Sequence, residues 1–62
     1  MYAKYAKRRD ELNLTDFSVA NETGIAPSTI SDWKTGKSTP KMDKLAKIAK
    51  VLDVSLDFFL EE

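Results

Sequence analysis

Apolar positions recur along the chain at helical spacing, and none of its runs shows the strict alternation of a half-buried strand. Tyr2, Tyr5, Arg9 and Leu12 predict a first helix over about Tyr2–Leu12, with Lys4, Lys7 and Arg8 facing outward. Asn13 suits a left-handed stop, and Leu14 covers the corner. Thr15 is a good N-cap for a second helix running to about Thr23, and Asp16 in its first turn suits the helix dipole. This helix is expected to bury Val19, Ala20 and Phe17. A third helix covers about Pro27–Thr35, and a fourth about Met42–Leu52. The stripe of the fourth, Met42, Leu45, Ile48, Ala49 and Leu52, repeats with a period of about 3.6 residues. Asp53 and Val54 form a short link, and Ser55 caps a fifth helix over residues 56–60. There Leu56, Phe59 and Leu60 are expected to close the core.

The punctuation between the second and third helices is the most specific signal. Gly24 follows Ala20 by four residues, where the chain must stop and reverse, and glycine takes the left-handed conformation there at little cost. Pro27 starts the next helix with its φ preset and no N–H to satisfy. Ile30 and Trp33, three apart, share the buried face; Pro27, Ser28, Ser31 and Asp32 fall on or near the opposite one. Small Ala20 lets the two helices cross closely. Gly36 ends the third helix, and Gly36-Lys37-Ser38-Thr39-Pro40 is dense in turn formers. The pattern predicts a compact all-α domain of five short helices over residues 1–62, with a helix–turn–helix at helices 2 and 3. Such a unit presents one short exposed helix, a shape that suits a DNA major groove.

Composition narrows the possibilities. Sixty-two residues make one small domain near the lower limit for a self-sufficient core. No apolar run approaches the roughly 18–20 residues of a membrane span, and Met1 leads straight into a charged helix rather than a signal peptide. A cytoplasmic, nucleoid-associated chain is expected. With no cysteine and no histidine there is no disulfide framework, no thiolate, and neither the usual general base nor the commonest metal ligand. No enzyme, cofactor or metal is expected. Lys37 within Gly-Lys-Ser-Thr is not a phosphate loop, because the earlier glycine such a loop needs falls on Ser31 and no strand precedes it. The net charge is zero, but the charge is segregated. Residues 1–9 are basic, 10–32 carry only acids, 34–50 hold six lysines against Asp43, and 51–62 are acidic again.

At this point the residues resemble a known family. Leu14-Thr15, Val19-Ala20, Gly24-Ile25, Ser28-Thr29-Ile30-Ser31, Gly36-Lys37, Pro40, Leu45, Ile48-Ala49 and Val54-Ser55-Leu56 match, in order and without gaps, the lambda-repressor-like helix–turn–helix domain of Cro and XRE type. The likeness covers Tyr5 to Leu60, and the Ser31-Asp32-Trp33-Lys34 variant is similar to versions common in Gram-positive bacteria and their prophages. It implies a sequence-specific DNA-binding domain of a transcriptional regulator, of phage-repressor type. Double-stranded DNA is then the partner, bound as a dimer on a two-fold operator. Dimerisation would use the C-terminal helix or a C-terminal domain outside this chain.

Carried over by position, the resemblance implies base contacts from Pro27, Ser28 and Asp32. It implies phosphate contacts from Thr29, Thr35, Lys37 and Ser38, and Lys41 and Lys44, the helix 4 lysines nearest the helix 3 loop, are expected to reach phosphate as well. Several positions depart from the family's pattern. Pro27 offers only an apolar contact, and Asp32 stands where Arg or Gln is frequent. Asp16 replaces a Gln that donates to phosphate, so it reads as a dipole-stabilising residue. Arg9 and Lys34 stand where some relatives have an ion pair, so Arg9 needs another partner. Ser28 has a second reading as a first-turn polar residue sharing the cap with Ala26, and Asp32 as a solvated residue bonding back toward Ser28. Trp33 reads as core. The competing function is a protein-interaction or antitoxin-like module on the same scaffold, motivated by Asp16 and Asp32 on the presumed DNA face. Phe58 is the expected exposed residue of the Phe58-Phe59-Leu60 run.

Overall fold

Five α-helices follow one another in the computed structural model, which describes residues 1–60. They are α1 (Tyr2–Glu11), α2 (Asp16–Thr23), α3 (Pro27–Thr35), α4 (Met42–Val51) and α5 (Asp57–Leu60), with no strand among the described residues. The all-α reading and the helix order hold. Leu12 and Leu52 are C-caps rather than helical residues, and α5 begins at Asp57 instead of Leu56. Glu61 and Glu62, the last acids of the acidic C-terminal stretch, lie outside the described residues.

The helix ends are set by local chemistry. Thr15 Oγ1 accepts from the Ser18 amide at 3.0 Å while Ser18 Oγ accepts from the Thr15 amide at 2.9 Å, a reciprocal box that satisfies two orphan donors. Gly24 ends α2 at φ 75°, its amide donating to Ala20 O. Gly36 ends α3 at φ 80°, after which the Lys37 amide returns to Asp32 O at 2.9 Å. Asn13 takes the expected left-handed turn at φ 57°, and Asp53, read only as a link, does the same at φ 56°. After each an apolar residue folds back on its helix: the Leu14 amide donates to Arg9 O, and the Val54 amide to Ala49 O. Thus α1 and α4 stop by the same device.

The core is built from Tyr5, Val19, Ala20, Ile25, Ile30, Trp33, Leu45, Ile48, Ala49, Leu52 and Phe59, with α2 packed against both α3 and α4. Trp33 is core, as its spacing with Ile30 implied. Three expected core residues are not. Phe17 is 68% exposed, because Asp16, Val19, Ala20 and Thr23 fill the inward stripe of α2 and leave Phe17 beside it. Met42 is 54% exposed, since the buried stripe of α4 starts one turn later at Leu45. Leu60 is 55% exposed, while Phe58 is half-buried and packs edge-on against Phe59 with ring centroids 5.2 Å apart. In so short a helix only one direction faces inward, and Phe59 takes it. Lys4 and Arg8 do not simply face water: Lys4 Nζ donates to Phe58 O at 3.3 Å and Arg8 Nε to Leu52 O at 2.9 Å.

Candidate nucleic-acid interface

The tight turn at Gly24 and the proline start of α3 hold the two helices against each other, with Ile25, Ile30 and Trp33 buried between them and the rest of the core. The other side of α3 is left outward. Pro27, Ser28 and Ser31 are exposed and Asp32 is half-buried. Ala26 makes no side-chain cap bond, and Ser28 supplies none in its place. Nor does Asp32 bond back to Ser28: among the described residues the side chains of Ser28, Ser31 and Asp32 have no intramolecular hydrogen bond. Thr35 Oγ1 donates at 3.3 Å to the backbone carbonyl of Asp32.

The flanking candidates converge in part. Thr29, Ser38, Lys41 and Lys44 line one shallow hollow together with Trp33, Pro40 and the acid Asp43. Thr35 and Ser38 line a second hollow with Lys34 and Tyr2, which shares Trp33, Ser38, Thr39 and Pro40 with the first. Lys37 is exposed at the tip of the loop and belongs to neither. The remaining α4 lysines separate from this group: Lys47 and Lys50 line a third hollow with Glu22 and Thr23, at the end of α2. The α4 lysines therefore divide into a pair beside the α3 loop and a pair at the end of α2. From the N-cap Lys41 to Lys50 each step of three turns the side chain part-way around the helix and carries it further along the axis, so the two ends of the series meet different neighbours.

Sequence reasoning missed the polar cluster between α1 and α2. Arg9 Nη1 donates to Asp16 Oδ1 at 2.7 Å and to the Tyr2 hydroxyl at 3.1 Å, and its Nη2 reaches Asp10 at 2.9 Å. The Tyr2 hydroxyl donates to Asp16 Oδ2 at 3.0 Å, and the Tyr5 hydroxyl to Oδ1. Burial pushes the Asp16 pKa up, but the bonds from Tyr5, Arg9 and Tyr2 outweigh it and the net shift is downward. Burial, reinforced by the carboxylate, drives the Tyr5 phenol well above its usual range. The bond from Asp16 holds the Arg9 guanidinium firmly protonated. Arg9 thus has the partner that Lys34 does not provide. The only signal for it was Asp16 itself, a carboxylate one residue beyond the N-cap and within reach of α1 across the Asn13 turn.

Among the described residues no group of three His, Cys, Asp or Glu is placed to hold a metal ion, and no helix is long and apolar enough to cross a membrane. A helix–turn–helix family model matches residues 6–59. The chain belongs to the helix–turn–helix family. The resemblance to Cro and XRE regulators is thereby borne out, and the match spans α1 to α5. This helix–turn–helix chain is 33% identical, over 87% of its length and 48% of the relative's, to the cryptic phage CTXphi transcriptional repressor RstR of Vibrio cholerae serotype O1. It is also 33% identical to the HTH-type transcriptional activator BcrR of Enterococcus faecalis, over 92% of the chain and 28% of that protein. An HTH-type transcriptional regulator of Haemophilus influenzae is 41% identical over 63% of the chain and 16% of its own length. The chain spans about half the length, or less, of these relatives. No solved structure matches it.

Proposed function

We propose that residues 1–62 form one sequence-specific DNA-binding unit of a transcriptional regulator, acting in the cytoplasm by binding rather than by catalysis. In this reading α3 enters the major groove, with Pro27, Ser28 and Asp32 toward the base edges. Thr29, Thr35, Lys37, Ser38, Lys41 and Lys44 meet the phosphates on either side. The observation that carries it is the outward face of α3, where among the described residues the side chains of Ser28, Ser31 and Asp32 make no bonds within the protein while Ile30 and Trp33 fix the helix from behind. Family membership and the regulator names of the relatives agree with it.

A face with so few donors needs reinforcement, so the operator is expected to be two-fold symmetric, with half-sites about 34 Å apart. The second copy would dock through α5, where Leu60 is exposed, or through a domain outside this chain. The test is a titration with random duplex DNA at low salt, followed by amide shifts. Shifts in α3 and residues 36–41, with binding that weakens steeply as salt rises, are expected. Shifts confined to α5, or binding indifferent to salt, overturn the reading and leave a protein-interaction module. That alternative rests on the carboxylate of Asp32 alone, because Asp16 is already neutralised by Arg9.

A further inference from the structure

Two acids among the described residues are half-buried, Asp16 and Asp32. Asp16 receives bonds from Tyr2, Tyr5 and Arg9. Asp32, by contrast, has no hydrogen bond or ion pair to its carboxylate among the described residues. Its oxygens are therefore free to accept from a ligand that docks against α3. Ser28 and Asp32 stand four residues apart and Ser28 and Ser31 three apart, so all three occupy the outward face of α3. Pro27 adds a ring with no donor. Among Pro27, Ser28, Ser31 and Asp32, Asp32 alone is charged, and it accepts only.

The donor can be identified from the groove, given the groove-reading role proposed above. Guanine shows two acceptors there, N7 and O6, and thymine shows O4 and a methyl group. Adenine shows the N6 amine next to the N7 acceptor, which would face the second carboxylate oxygen. Cytosine shows its N4 amine and no acceptor of its own. We infer that Asp32 selects cytosine at one position of each half-site, accepting from N4, and rejects guanine there. The attraction to phosphate must then come from outside this face, from the lysines at the α3–α4 loop.

Selection from a library of randomised duplexes tests this. The chain, immobilised on beads at low salt, is compared as wild type, Asp32→Ala and Asp32→Asn, with thermal melts confirming that each is folded. Wild type is expected to enrich cytosine over guanine at one position by about 5- to 150-fold. Asp32→Ala should flatten that position while still retaining DNA. Asp32→Asn should move it toward adenine, whose N6 and N7 match an amide. A profile unchanged in Asp32→Ala, or guanine preferred by wild type, overturns the inference and leaves the groove-reading role standing. Wild type that retains no duplex at all overturns both.

Discussion

Arg9 Nη1 lies 2.7 Å from Asp16 Oδ1, and this bond ties α1 to the first turn of α2 across the Asn13 corner. It places a carboxylate at the positive end of the α2 dipole and holds it with two tyrosine hydroxyls as well. Because the folded pKa of Asp16 lies below its ordinary value of 3.8, its contribution is complete above that value and is lost as pH falls through the folded one. Asp16→Asn should cost about 1–2 kcal/mol at neutral pH, a figure discounted for partial exposure. The variant should also lose less further stability than wild type on acidification below about pH 4. Urea titrations across that range check this; equal losses in the two proteins would remove Asp16 from the acid transition.

Phe17 and Ile30 make the opposite pair. Phe17 is 68% exposed and Ile30 fully buried, although both were expected inside. Phe17→Ser should leave stability within about 0.5 kcal/mol of wild type. Ile30→Ala should remove about 2–5 kcal/mol, enough to unfold much of so small a domain. Denaturant midpoints decide it, and a large loss from Phe17→Ser would mean that a surface covers that ring in solution.

What the chain reveals by itself divides along this line. Thr15, Gly24, Pro27 and Gly36 act through their own backbone conformations or short-range bonds, so the helix limits and the turn were readable. Ile30 and Trp33 fix which side of α3 faces out, so the candidate face was readable too. Met42 was misplaced because spacing gives a direction around a helix but not whether another helix covers that stretch, whereas Phe17 and Leu60 lie to the side of the direction that Val19, Ala20 and Phe59 take inward. The same holds for the partner of Arg9 and for the hollow shared by Thr29, Ser38, Lys41 and Lys44. Both depend on how separate elements dock.

Gly24 is required for its backbone, not for space. A Cβ built there meets nothing within 4 Å, yet φ is 75°. Gly24→Ala should therefore cost about 1–2 kcal/mol through left-handed strain alone. Gly36, equally open at φ 80°, should behave alike. Thermal denaturation of the two variants measures it, and a cost near zero would contradict the strain argument.

Arg8 closes the end of α4. Its Nε donates to Leu52 O, a carbonyl at the negative end of that helix, while Nη1 pairs with Glu11 at 3.2 Å. Arg8→Met keeps much of the stem and removes the donor, and is expected to cost about 1 kcal/mol. Amide exchange should quicken in the last turn of α4 more than in α3. Uniform acceleration would instead indicate loss of global stability only.

Lys41 and Lys44 share a hollow with Thr29 and Ser38, whereas Lys47 and Lys50 sit beside Glu22 at the end of α2. If the first pair meets phosphate, each lysine releases a counterion on binding. Lys41→Ala and Lys44→Ala should each lower the slope of log affinity against log salt by about 0.9, as should Lys37→Ala at the loop tip. They should weaken binding to all sequences alike, since phosphate contacts carry no base information. Lys47→Ala and Lys50→Ala should leave the slope unchanged. Fluorescence anisotropy on one duplex at several salt concentrations separates the two sets. A slope that falls equally for both would place the DNA across the whole of α4, and one that falls only for Lys47 and Lys50 would move it to the end of α2, away from α3.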